Sequence, residues 1–161
     1  YSIMFYGGKM LSHLTADDPE IDDFISLRRM NRNIAIIIDS DKPTPQKHLN
    51  KTKKRVEDEF NSNEGSGFAW VTNGREIENY ILPDALKKAI IDVHKDATGF
   101  SAMGKYDICM SIFKTTKSNE KSSADKVKVA KKVVAEFPSL KIHDLQEQVE
   151  KLVNFIQESN E

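Results

Sequence analysis

A chain of 161 residues with 39% hydrophobic and 30% charged side chains is the length of about one globular domain, enough to bury a core. Its net charge of −1 excludes a globally basic nucleic-acid binder, so any such contact must come from local clusters. The single cysteine, Cys109, excludes an intrachain disulfide and a cysteine-rich zinc site, and one thiol suits a reducing cytoplasm. In chain order, Ser2 to Tyr6 is a short apolar run ending at Gly7-Gly8, a strand and its turn. "KMLSHL" opens a short helix, and "PEIDDFISLRRMN" places Ile21, Phe24, Ile25 and Leu27 at helical spacing. Ile34 to Ile38 is apolar at every position, as in a parallel strand covered on both faces. Two prolines in "KPTPQ" stop it. Leu49 to Asn61 reads as a lysine-rich helix, "NSNEGSG" as a loop and Phe68 to Thr72 as a strand. Glu76 to Lys95 reads as helical with a break near Pro83, which can open a second helix. Tyr106 to Phe113 is ambiguous between helix and strand, and Ser118 to Ser123 is a polar loop. Helices follow at Ala124 to Glu136 and His143 to Glu158, the latter with an apolar stripe of Leu145, Val149, Leu152, Val153 and Ile156 that can pack on the sheet or dock another domain or subunit. Strands alternating with helices predict an α/β sandwich with a mainly parallel sheet. The opening "YSIMFYGG" reads as a strand already under way, which predicts that the chain is a piece of a longer protein.

Two acidic pairs interrupt apolar surroundings. "IAIIIDSDK" ends in Asp39 and Asp41, at the carboxyl end of the clearest strand, where ligands collect in parallel sheets. Strand alternation sends residues i and i+2 to one side, so the two carboxylates are expected to converge. Two anions held that close call for a cation, and Mg²⁺ accepts a few carboxylates together with water and phosphate. The competing reading makes both aspartates turn and capping residues. A third makes Asp39 a phosphotransferase nucleophile in an Asp-x-Asp-x-Thr loop, although Pro43 stands where that Thr belongs.

The second pair is in "NGREIENY". Thr72 or Asn73 can cap a helix, and Glu76 in its first turn suits the helix dipole. Glu78, between Ile77 and the apolar Ile81 and Leu82, is harder to explain this way, although the competing reading makes the segment an ordinary exposed helix start. On a regular helix Glu76 and Glu78 point roughly 200° apart, which favours Glu78 as the metal ligand. Arg75 can neutralise the acidic group or contact phosphate.

"IIIDSDK" followed by "WVTNGREIENYILP", with "FYGGKMLSHL" ahead of them, resembles the Toprim domain of overcoming-lysogenization-defect (OLD) family nucleases over roughly Tyr1 to Leu82. The resemblance implies a Rossmann-like, mainly parallel Toprim sheet flanked by helices in residues 1–140, and a helical C-terminal extension in 141–161. It also implies an ABC-type ATPase domain upstream, and the family's first acidic motif, a Glu-Gly, would precede Tyr1. The implied activity is hydrolysis of DNA, or RNA, by a bacterial cytoplasmic endonuclease of anti-phage defence, homo-oligomeric at full length. Independently of the resemblance, no apolar run approaches the roughly 18 residues of a membrane span, so no membrane partner is expected. Asp39, Asp41, Glu76 and Glu78 would hold Mg²⁺ or Mn²⁺, two ions in the intact site. One would orient phosphate and activate water, and the other, near Glu78, would stabilise the leaving oxygen. Such nucleases also use a lysine, for which Lys126 in "ADKVKVAKKV" is preferred over Lys105 in "MGKYD". The alternative function is a Toprim-like nucleic-acid-binding or regulatory domain that does not cleave.

Basic residues surround the first pair. Arg28, Arg29 and Arg32 precede it; Lys42, Lys47, His48, Lys51, Lys53, Lys54 and Arg55 follow. With Arg75, the expected phosphate contacts are Arg28, Arg29, Lys51, Lys53 and Lys54, because backbone charge supplies most non-specific affinity. Four scattered histidines show no metal-ligand spacing, and the five methionines read as core filler.

Overall fold

The structure is a computed structural model that describes residues 2–3, 19, 21–22, 33–62, 67–114 and 121–161. Arg28, Arg29, Arg32, the "KMLSHL" helix, most of the first expected strand, and Met4, Met10 and Met30 lie outside the described residues. So does most of the expected "NSNEGSG" loop. Of the helix expected in "PEIDDFISLRRMN", Pro19, Ile21 and Asp22 are described and helical.

Contacts divide the chain into two compact units. One takes the residues up to Ser40 with His48–Thr72 and Glu147–Glu161; the other takes Asp41–Lys47 and Asn73–Gln146.

In the first unit, β1 (Ala35–Ile38) pairs in parallel with β2 (Phe68–Val71), Ile37 opposite Trp70. Their connection runs through α1 (Lys51–Asn61), the crossover that parallel neighbours require. Asn50 caps α1, its side chain accepting from the Lys53 amide at 2.7 Å. Val56 and Phe60 then reach a core of Ile21, Ile38 and Ala69. Gly67 permits the strand entry, because a Cβ there would lie 2.1 Å from the Ile34 carbonyl oxygen. One expectation fails locally: Ile37 is 48% exposed, so β1 is not sealed on both faces despite its unbroken apolar run. From α4 (Leu145–Glu158), Phe155 meets Phe68 edge-on at 5.7 Å and Lys151 stands over the same ring.

The second unit holds a one-turn 3-10 helix (Ile77–Tyr80), α2 (Pro83–Val93), an antiparallel sheet of β3 (Ala97–Phe100), β4 (Ser111–Lys114) and β5 (Lys121–Ser123), and α3 (Lys126–Glu136). Leu86, Ala89 and Ile90 of α2 and Val129 and Val133 of α3 close on Cys109, Met110 and Ile112. Pro83 opens α2 as expected, and Asp125 caps α3 by accepting from the Lys128 amide.

The chain is therefore α/β, but among the described residues only β1 and β2 are parallel, and the expected mainly parallel sheet is replaced by this pair and a separate antiparallel sheet. The segment between β3 and β4 is short and contains no helix, so those strands can only return antiparallel. β3 and β5 were not expected. "ATGF" and "KSS" carry too little apolar alternation to mark a strand, and pairing on β4 makes them strands. No helix among the described residues is long and apolar enough to cross a membrane.

Candidate functional site

β1 ends at Ile38, so strand alternation does not carry through to the first acidic pair. Asp39 remains in the first unit, where its carbonyl oxygen accepts from the Lys53 ammonium at 2.7 Å. The end of β1 is tied to β2 by Thr72, whose amide donates to the Ile38 carbonyl and whose hydroxyl accepts from the buried Ser40 amide at 2.9 Å. Asp41 lies in the second unit with φ 54°, left-handed backbone that Asp and Asn tolerate better than other non-glycine residues. Its amide donates to the Arg75 carbonyl at 2.8 Å, which lays it alongside the second acidic motif. The turn reading of Asp41 thus has a physical basis independent of its charge. Asp41→Asn is expected to stay within about 0.5 kcal/mol of the parent, and Asp41→Ala to cost about 1–2 kcal/mol of stability in denaturant melts.

The second motif departs from the expected regular helix. Glu76 is extended (φ −130°, ψ 164°), and the chain winds only from Ile77, as a 3-10 turn that ends at Tyr80. The cap is Glu76 and not Thr72 or Asn73, because the turn begins only at Ile77; the Thr72 hydroxyl accepts from Ser40 instead. An extended residue before a tight turn removes the 200° separation predicted for a helix. Both glutamates reach one ammonium: Lys126 Nζ stands 2.7 Å from Glu78 Oε1 and 3.8 Å from Glu76 Oε2. The side chain of Glu78 is only 12% exposed, and its Oε2 is buried with no hydrogen-bond partner among the described residues. Lys126, at the first turn of α3, thus joins the glutamates, whereas Lys105 has its carbonyl bonded to the Arg75 amide and its ammonium over the Tyr106 ring.

Buried polar residues hold this turn. Asn79 binds the Glu76 amide and the 104–109 loop. The Tyr80 hydroxyl accepts from the Asn73 amide and donates to Asp144 at 2.7 Å. Gly74 fits because a Cβ there would meet Asn79 at 2.7 Å and the Lys105 carbonyl at 2.9 Å. Beside Tyr80, burial and then Lys105 lower the His143 pKa against an opposing pull from Asp144. Cys109 is buried close enough to feel both glutamates: burial, then Glu76, Asp107 and Glu78, push its thiol up to about 11. The native protein is therefore expected to resist a thiol-alkylating reagent at pH 8 and to react once unfolded, as measured by mass shift with and without denaturant.

The basic set divides. Lys51 is exposed. Lys53, 3% exposed, donates to the Asp39 carbonyl. Lys54 pairs with Glu57 and Asp58 one turn on, and these bonds, Asp58 first, raise its pKa. Arg55 pairs with Asp22. Among the described residues, no three His, Cys, Asp or Glu side chains are grouped closely enough to hold a metal ion. In comparisons with known proteins, no family model, no curated protein and no solved structure matches this chain.

Proposed function

We propose that the chain carries a site for metal-dependent hydrolysis of a nucleic-acid phosphodiester, with Glu76 and Glu78 as carboxylate ligands and Lys126 as the cationic partner; Asp41 joins them on the strength of the sequence motif, its backbone lying beside the glutamate turn. The observation that carries this reading is the buried Glu78 carboxylate, one oxygen on Lys126 and the other unbonded among the described residues. A carboxylate oxygen kept from water without a donor is costly, and a divalent ion would satisfy it. Two carboxylates around one cation fit Mg²⁺ or Mn²⁺, which complete their shells with water and phosphate.

When bound, such an ion supplies Lewis-acid stabilisation of phosphate charge and a water of lowered pKa. The residues of the chain do the rest. Glu76 and Glu78 fix the place of the positive charge. Lys126, with its side chain 53% exposed, can extend its ammonium to a phosphate oxygen while staying on the glutamate turn. The Asp41 amide is fixed on the carbonyl of Arg75, the residue before Glu76, so the Asp41 backbone lies beside the acidic turn. Asp39 enters from the sequence alone, as the residue two before Asp41. The resemblance of the two acidic motifs to OLD-family Toprim nucleases supplies the substrate class, DNA, and the expectation of a coupled ATPase.

A second reading, a non-cleaving nucleic-acid-binding domain, is favoured by one observation. Lys126 already neutralises Glu78 at 2.7 Å, so the turn has a charge partner without any metal. Nicking of supercoiled plasmid with Mn²⁺, by this chain and by a longer protein containing it, separates the two. Nicking that needs Mn²⁺ and disappears in Glu78→Gln supports hydrolysis. Plasmid binding without nicking in either protein supports the second reading.

A further inference from the structure

Asn79, between Glu78 and Tyr80, has no part in the chemistry proposed above, yet it is 4% exposed and hydrogen-bonded at both ends of its amide. Its Oδ1 accepts from the Glu76 amide at 2.7 Å. Its Nδ2 lies 2.8 Å from the Gly104 carbonyl, 3.1 Å from the Asp107 carbonyl and 2.9 Å from Cys109 Sγ. A backbone donor on one side and two backbone acceptors on the other admit only one orientation of the amide. The loop it grips is itself fixed: the Gly104 amide donates to Asp107 Oδ2, and the Arg75 amide donates to the Lys105 carbonyl.

We propose that Asn79 is the positioning residue that brings Glu76 and Glu78 onto one cation. By taking the Glu76 amide, Asn79 holds that residue extended, and the following 3-10 turn then presents Glu78 towards the same ammonium. The Asn79 backbone amide and the Arg75 contacts also hold this turn, but only the Asn79 side chain takes the Glu76 amide. Losing it lets Glu76 relax towards a regular helix start, where the two carboxylates diverge by roughly 200°. No common substitute keeps both functions. Ala loses donor and acceptor. Asp sets a carboxylate oxygen against two carbonyls. Gln adds a methylene in a place where Gly74 already packs closely on the Asn79 Cβ.

This inference concerns the geometry of the Lys126 cluster, and only its consequence for metal binding rests on the proposed function. The test is the hydrogen-bonded ammonium ¹H–¹⁵N signal of Lys126 in the intact chain, assigned by its loss in Lys126→Met. The expected result is loss of that signal in Asn79→Ala and in Asn79→Ser, as in Glu78→Gln, while Ile90→Val, a core change in the same unit, lowers the melting temperature and leaves the signal in place. Mn²⁺, used as the probe, should also bind Asn79→Ala at least about tenfold more weakly than the parent. An unchanged Lys126 signal in either folded Asn79 variant would overturn the proposal, as would failure of both variants to fold, which would make Asn79 a residue of the fold alone. Failure of the metal reading shows separately, as no Mn²⁺ binding to the parent protein, and leaves the Lys126 comparison decisive.

Discussion

Lys126→Met is expected to lower stability by about 1–3 kcal/mol without divalent metal, and to do so more than any other single lysine change on α3. The two partners are unequally buried. Removing one partner of a fully buried ion pair costs roughly 3–5 kcal/mol because it leaves an uncompensated charge, whereas an exposed pair is worth about 0–1 kcal/mol. Glu78 is nearly buried and Lys126 half exposed, so the cost falls between these limits. The charge left behind should create a demand for another cation. With Lys126 removed, Mn²⁺ at ~10 mM and a millimolar Kd should return about 1–2 kcal/mol. In the parent protein Lys126 competes for the same carboxylates, and the gain should be smaller. Melts of the parent, Lys126→Met and the double variant Lys126→Met/Glu78→Gln, each with and without Mn²⁺, test this. The double variant should recover most of the lost stability and lose the metal response. A flat Mn²⁺ response in all three would leave Lys126 as the permanent occupant and remove the metal from the proposed site.

What the sequence made legible follows from how local each signal is. The apolar run into β1, the strand from Phe68 and the helices carrying Val56, Leu86 and Val133 were readable because period and caps are properties of short windows. Lys126 was preferred over Lys105 because it starts a helix, and it does meet the glutamates. β3 and β5 were not readable, since their strand character comes from a neighbour and not from their own residues. The role of Lys53 was hidden for a related reason: a lysine in a lysine-rich helix reads as solvated unless the acceptor, here the Asp39 carbonyl fourteen residues earlier, is known. The geometry of Glu76 and Glu78 departs from the helix expectation because propensity treats "REIENY" as an ordinary helix start. The decisive bond, from the Glu76 amide to the Asn79 side chain, is itself local, and an Asn three residues after an acidic cap is the signal that could have revealed it.

That corrected geometry changes the expected behaviour of the two glutamates. If they lay on opposite sides of a helix, Glu78→Gln would abolish metal-dependent cleavage and Glu76→Gln would cost only some activity or a fraction of a kcal/mol through the helix dipole. With both carboxylates directed at one ammonium, each should matter to the same charge. On the proposed function, Glu76→Gln and Glu78→Gln should each reduce Mn²⁺-dependent nicking by about 10²–10³-fold, which corresponds to ~3–4 kcal/mol of barrier. The losses should not add, because residues that hold one charge act as a unit. The stability effect of Glu78→Gln should be small beside this loss. Glutamine at position 78 removes a buried negative charge whose Oε2 has no hydrogen-bond partner among the described residues, so the metal-free protein should melt no lower than the parent by more than about 0.5 kcal/mol. Initial nicking rates and metal-free melts of the two single variants and the double variant measure both effects. A Glu76→Gln protein that nicks at the parental rate would show that the 3.8 Å approach of Glu76 to Lys126 is electrostatic support alone, and would leave Glu78 as the ligand on this turn.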